Sequence, residues 1–164
     1  MDYAELGHED FDALVTGTFT HYALWLEDVL NSIISDYFVR SHDRQARFKR
    51  LILHREGLSF QDKIDIVRSM VPLFGKLAEQ VKLKSILKEI EDFKFWRNAL
   101  AHGLDASTSD DPLQLRVEFV SRSGKEKSIE ITPDSYYEMA GNFDDLLKRA
   151  RAARNELMAL RRHA

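Results

Sequence analysis

Arg97 and His102 carry groups that can do chemistry on a phosphate without a metal or a cysteine. A histidine titrates near neutral pH. It can take a proton from a ribose 2′-hydroxyl or give one to a leaving 5′-oxygen. An arginine presents a planar fork of donors that stabilises negative charge growing on a phosphate in the transition state. Together the two suit transesterification of RNA ending in a cyclic phosphate. DNA lacks the internal nucleophile and would be a poor substrate. Asn98 stands one turn before His102 and shares its helix face.

A long helix must position these groups. Apolar residues recur at Leu83, Ile86, Leu87, Ile90, Phe93, Leu100 and Leu104, the three-and-four spacing of a helical stripe. Position 97 belongs to that stripe, yet it holds an arginine. A guanidinium aimed at a buried or interfacial face must find anions there, because an unpaired buried charge is too costly. His102 lies five residues on, about 140° round the helix, directly before Gly103, which reads as a left-handed cap. Two readings stand side by side. Arg97 is half of a core ion pair with Glu27 or Asp28 and His102 serves the helix dipole, or both belong to a site.

The run Arg97-Asn98 followed by three residues and His102, closing a helix in a mainly helical chain, resembles the signature of the HEPN family. That motif is an arginine, commonly followed by a polar residue, with a histidine four to six residues later. Leu58-Ser59-Phe60-Gln61-Asp62-Lys63-Ile64 is similar to the family's second helical region, and the resemblance covers most of residues 8–160. It implies a metal-independent endoribonuclease of a toxin–antitoxin or phage-defence type. The site it implies is composite, with two arginines and two histidines brought into one cleft by a twofold homodimer. Arg97, His102 and Asn98 would be catalytic, Asn98 orienting His102 or binding a phosphate oxygen. The implied partners are RNA, a second copy, and an antitoxin or nucleotidyltransferase. Some members are instead non-catalytic nucleotide- or RNA-binding or interaction modules, and that alternative stays open.

At 164 residues the chain suits one domain, residues 1–164, with 44% hydrophobic and 31% charged residues, as in a soluble globular protein. The absence of cysteine excludes disulfides and thiolate metal sites. The six histidines have no zinc-binding spacing, and no Gly-rich phosphate loop appears. No cofactor and no metal are expected. Neither a signal peptide nor an apolar run of about 18 residues is found, so the expectation is a cytoplasmic protein without a membrane partner. Net charge is −3, but unevenly spread. Residues 1–39 hold eight of the 27 acidic residues and no Lys or Arg. Basic residues gather at Arg40, Arg44, Arg47, Lys49, Arg50 and Arg55, and again at Lys148, Arg149, Arg151, Arg154, Arg161 and Arg162. Either cluster could track a phosphate backbone or be a solvated face paired with acidic neighbours.

The spacing predicts a first helix from about Glu9 to Val39 and a basic second helix from Arg44 to about His54. Ser59 with Asp62 reads as a capping-box variant opening a third helix, which Pro72 breaks or kinks. The motif helix runs from about Val81 to His102, with residues 76–80 a possible extension. A polar loop follows from Gly103 to Pro112. Leu115, Val117 and Phe119 alternate with polar residues, as do Ile129 and Ile131, and Ser123-Gly124 supplies a turn. This predicts a β-hairpin insertion over about 113–132, with Val117 and Ile129 inward. Thr132 and Pro133 open the last helix. The expected fold is mainly all-α: an up-and-down bundle of four main helices, one short helix and the hairpin.

Overall fold

A computed structural model describes residues 6–108, 113–120 and 124–161, the side chains of 160 and 161 excepted. The chain is mainly helical with a small antiparallel sheet. In order come α1 (His8–Phe38), α2 (His42–Phe48) continued by a π-turn (Lys49–Leu53), α3 (Phe60–Phe74), α4 (Lys76–Gln80) and α5 (Leu83–His102). Three strands, β1 (Leu104–Asp105), β2 (Leu115–Val120) and β3 (Glu126–Ile131), precede α6 (Pro133–Arg161). None of the described helices is long and apolar enough to cross a membrane.

Local chemistry accounts for several boundaries. Ser59 Oγ accepts from the Asp62 amide at 3.2 Å while the Asp62 carboxylate accepts from the Ser59 amide at 2.7 Å, the expected reciprocal cap. That hydrogen bonding to Ser59 holds the Asp62 carboxyl below the ordinary carboxylate range. Thr132 and Ser135 cap α6 in the same way, ahead of Pro133 at the first helical position. Pro72 does not end α3. The helix runs on to Phe74 and stops at Gly75, whose φ of 56° lies in the left-handed region. Residues 76–80 do not extend α5, because Lys82 at φ 53° turns the chain between α4 and α5.

The sheet has the order β1-β2-β3. Leu115 pairs with Ile131 and Val117 with Ile129, and all four side chains are buried, while Arg116, Glu118 and Glu130 face solvent. Val117 and Ile129 thus point inward as the alternation predicts. The first two residues after Gly103, expected as loop, form β1 instead. Leu104 pairs with Glu118 and Asp105 with Val117, turning the hairpin into a three-stranded sheet. The expected turn at Ser123 and the loop residues Ser109 to Pro112 lie outside the described residues, as does Arg162.

The residues group into two compact units, with α1, α5 and α6 contributing to both. One unit holds α1 up to Ala23 and Phe93–Asp144; the other holds Leu24–Asp92 and α6 from Asp145. The first is centred on Phe19, Phe93 and Phe143, whose rings lie 4.4–6.1 Å apart. Tyr136 adds an edge contact to Phe11 and a 2.9 Å hydrogen bond with Thr18. The second unit buries Leu26, Leu30, Ile64, Val67, Leu87 and Ile90. Its ion pairs include Lys63 with Glu27, Lys49 with Asp28, Arg68 with Asp65 and Glu91, Arg149 with Glu89 and Asp145, and Arg154 with Asp36.

Candidate functional site

The apolar stripe of α5 is buried from Leu83 through Ile86, Leu87 and Ile90 to Phe93. It then loosens. Arg97 and Leu100 are half-buried, and Leu104, expected to carry the stripe on, is 77% exposed on β1. The stripe therefore ends at Leu100, where the helix gives way to a strand whose side chains alternate with a period of two.

Arg97 sits where an ion pair would be expected, yet it makes none among the described residues. The two carboxylates that sequence offered are taken by other cations. Glu27 pairs with Lys63, whose side chain is 2% exposed, and Asp28 with Lys49 at 3.6 Å. Asn98 is half-buried and His102, the last residue of α5, is exposed; neither side chain has a hydrogen-bond partner among the described residues. The three groups thus occupy one helix end with their hydrogen-bonding capacity unspent, about 7.5 Å of axial rise separating Arg97 from His102.

Gly103 serves this end differently from the expectation. It is not left-handed, since the positive-φ glycines are Gly57, Gly75 and Gly124. Its amide donates to Ala99 O at 2.7 Å, and a Cβ built on it would stand 2.1 Å from Val117 Cγ1 and 2.6 Å from Ala99 O. Glycine is required because β2 packs on the backbone as the chain leaves α5 for β1. Substituting Gly103→Ala should destabilise the protein by about 1–3 kcal/mol through overpacking, measured by urea unfolding. Phe95 and Phe119, with ring centroids 5.3 Å apart, hold the sheet against the same helix, and Lys127 Nζ lies 5.3 Å from the Phe95 ring centre.

A contact that sequence reasoning missed lies three residues past His102. Asp105 Oδ2 is 3.0 Å from His8 Nε2, and Asp105 Oδ1 accepts from the Ser107 amide at 2.9 Å. The Asp-x-Ser spacing is a local signal for the second bond; nothing local links residue 8 to residue 105. His8 Nδ1 is buried while Nε2 faces Asp105, so this imidazole pins the start of α1 to β1 rather than offering a nitrogen to a substrate. The Ser107 hydrogen bonds, followed by His8, lower the Asp105 pKa from 3.8 to about 2. Because the folded value is depressed, the support Asp105 gives is complete above the unfolded value and is lost as pH falls through about 2. The stability advantage of wild type over Asp105→Asn should therefore shrink as pH falls from 3.8 through about 2. Carboxyl NMR of Asp105 should give a midpoint near 2.

Among the described residues no three His, Asp or Glu side chains are grouped so as to hold a metal ion. No protein-family model matches the chain, and no curated protein and no solved structure matches it.

Proposed function

We propose that the protein is a metal-independent endoribonuclease of a toxin–antitoxin or phage-defence type. In this reading the chain is a single HEPN-like domain, with its four long helices in an up-and-down bundle. Arg97, Asn98 and His102 from two copies form one cleft on a homodimer. His102 of one copy takes the 2′-hydroxyl proton as that oxygen attacks phosphorus. The bond from phosphorus to the 5′-oxygen breaks, and a proton from the second His102 goes to the departing oxygen, leaving a 2′,3′-cyclic phosphate and a 5′-hydroxyl. The Arg97 forks bear the charge that builds on the non-bridging oxygens, and Asn98 orients the imidazole or a phosphate oxygen.

The observation that carries this reading is the unpaired Arg97, a half-buried cation on an apolar stripe with no anion of its own chain among the described residues. A phosphate at a shared interface supplies that anion. The test is cleavage of RNA by purified protein in excess chelator, with appearance of cyclic-phosphate ends. Light scattering at tens of micromolar should give a dimer; a monomer would remove the composite site.

A second reading, a non-catalytic RNA- or nucleotide-binding or interaction module, is favoured by one feature. His102 is exposed and no described side chain holds its ring, whereas proton transfer benefits from a fixed imidazole. RNA binding without cleavage in the same assay selects it. An antitoxin or a nucleotidyltransferase is the partner proposed under either reading.

A further inference from the structure

The two basic stretches of the sequence differ in what their charges meet. In the C-terminal stretch Arg149 lies against Glu89 and Asp145, and Arg154 against Asp36. Those two cations spend their charge within the fold, and Arg151 alone of the described arginines there is exposed without an ion pair among the described residues. In the stretch covering α2 and the π-turn, Lys49 does likewise, reaching Asp28 at 3.6 Å and Ser32 Oγ at 2.7 Å. Gln45 adds a 2.7 Å bond to Val39 O, so one side of this segment is tied to the end of α1. Arg44, Arg47, Arg50 and Arg55 are all exposed, and none has an ion pair among the described residues. Asp43 and Glu56, the carboxylates of this stretch, are fewer than these arginines.

The π-turn adds an apolar component. His54 N bonds to Lys49 O at 2.8 Å, five residues back, which widens the turn. Of the run Leu51-Ile52-Leu53, only Leu53 turns inward, at 2% exposed; Leu51 is 61% and Ile52 50% exposed. Four unneutralised arginines and two aliphatic side chains are therefore exposed along this one short segment.

We infer that this surface of α2 and the π-turn holds an RNA strand, with Arg44, Arg47, Arg50 and Arg55 on its phosphates and Leu51 and Ile52 against base faces. The inference rests on RNA as the substrate class and assigns a holding surface apart from the reacting groups. Guanidinium forks match phosphate oxygens, and unpaired arginines release counterions when they take up a polyanion. A membrane surface fits less well. Two exposed aliphatic residues on this short segment offer little area to bury in the acyl boundary, where interfacial helices present a continuous apolar face.

The test is fluorescence anisotropy of a short single-stranded RNA carrying 2′-O-methyl riboses, which removes the nucleophile and leaves binding to be read alone. Wild type is compared with the quadruple Arg44→Gln, Arg47→Gln, Arg50→Gln, Arg55→Gln protein, with circular dichroism checking that both are folded. Arg149→Gln serves as a control for removal of a paired cation. The quadruple protein should bind roughly tenfold or more weakly, and its slope of log K against log salt should flatten by about 0.7 for each phosphate no longer neutralised. Arg149→Gln should leave the slope unchanged. If the quadruple protein binds RNA with wild-type affinity and slope, the inference fails while cleavage at Arg97 and His102 is untouched. If wild type fails to bind the probe at all, the inference fails together with the RNA reading. If the four arginines govern sedimentation with anionic phosphatidylserine vesicles and not RNA affinity, the surface belongs to a membrane and the inference is overturned. RNA held through these arginines by a protein that never cleaves RNA upholds the inference and overturns the ribonuclease reading.

Discussion

RNA cleavage by the His102→Ala protein should fall by roughly 10²- to 10⁴-fold, the range expected when a positioned acid–base group is removed. Folding should be almost unaffected. His102 is exposed at the end of α5 and has no partner among the described residues, so its truncation should change stability by no more than about 0.5 kcal/mol. Arg97→Lys should lose most activity despite keeping the charge, because an ammonium cannot reproduce the two-donor fork. Asn98→Ala should cost less than either. Arg97→Ala should also remain folded, since the first-helix carboxylates are already paired elsewhere. Cleavage assays with urea unfolding on the same preparations separate the two effects. A folded dimer that cuts RNA equally well without His102 would leave the activity unconnected to this helix end.

Glu27→Ala should destabilise the protein by about 3 kcal/mol or more, because it strands a buried ammonium without its counter-charge. Lys63 is 2% exposed whereas Glu27 is 23% exposed, so the two halves of the pair are not equivalent. Deleting the lysine leaves a carboxylate that water can still reach; deleting the glutamate leaves a lysine that water cannot. Lys63→Met, which keeps the aliphatic stem and removes the charge, should therefore cost clearly less than Glu27→Ala. Equal losses would show that both ends are equally dry. A double-mutant cycle carries the point to the site. Lys63 and Glu27 should be strongly coupled, and Arg97 and Glu27 should be additive within about 0.5 kcal/mol. Strong coupling between Arg97 and Glu27 would return Arg97 to a structural role.

Helices and strands were legible in this chain wherever a short-range pattern sets them. The broad apolar face of α1, the Ser59–Asp62 cap, the alternation of β2 and β3 and the Thr132-Pro133 start all depend on residues a few positions apart. Local backbone geometry and side-chain periodicity are enough to specify such features. The placement of Arg97, Asn98 and His102 at one helix end followed from the same periodicity. Gly103 could be identified as necessary, but its reason could not. A left-handed cap and a close approach by β2 place the same demand on the sequence, and only the packing of Val117 tells them apart. β1 was hidden for a related cause, since two residues are too few to show an alternation and exist as a strand only through the pairing with β2. Which charges cancel was likewise beyond the sequence. Lys63 finds Glu27 across 36 residues and Arg154 finds Asp36 across 118, so the fold decides which cations are spent and which remain. Charge acts through space at a few ångströms, and chain order says little about which groups come that close.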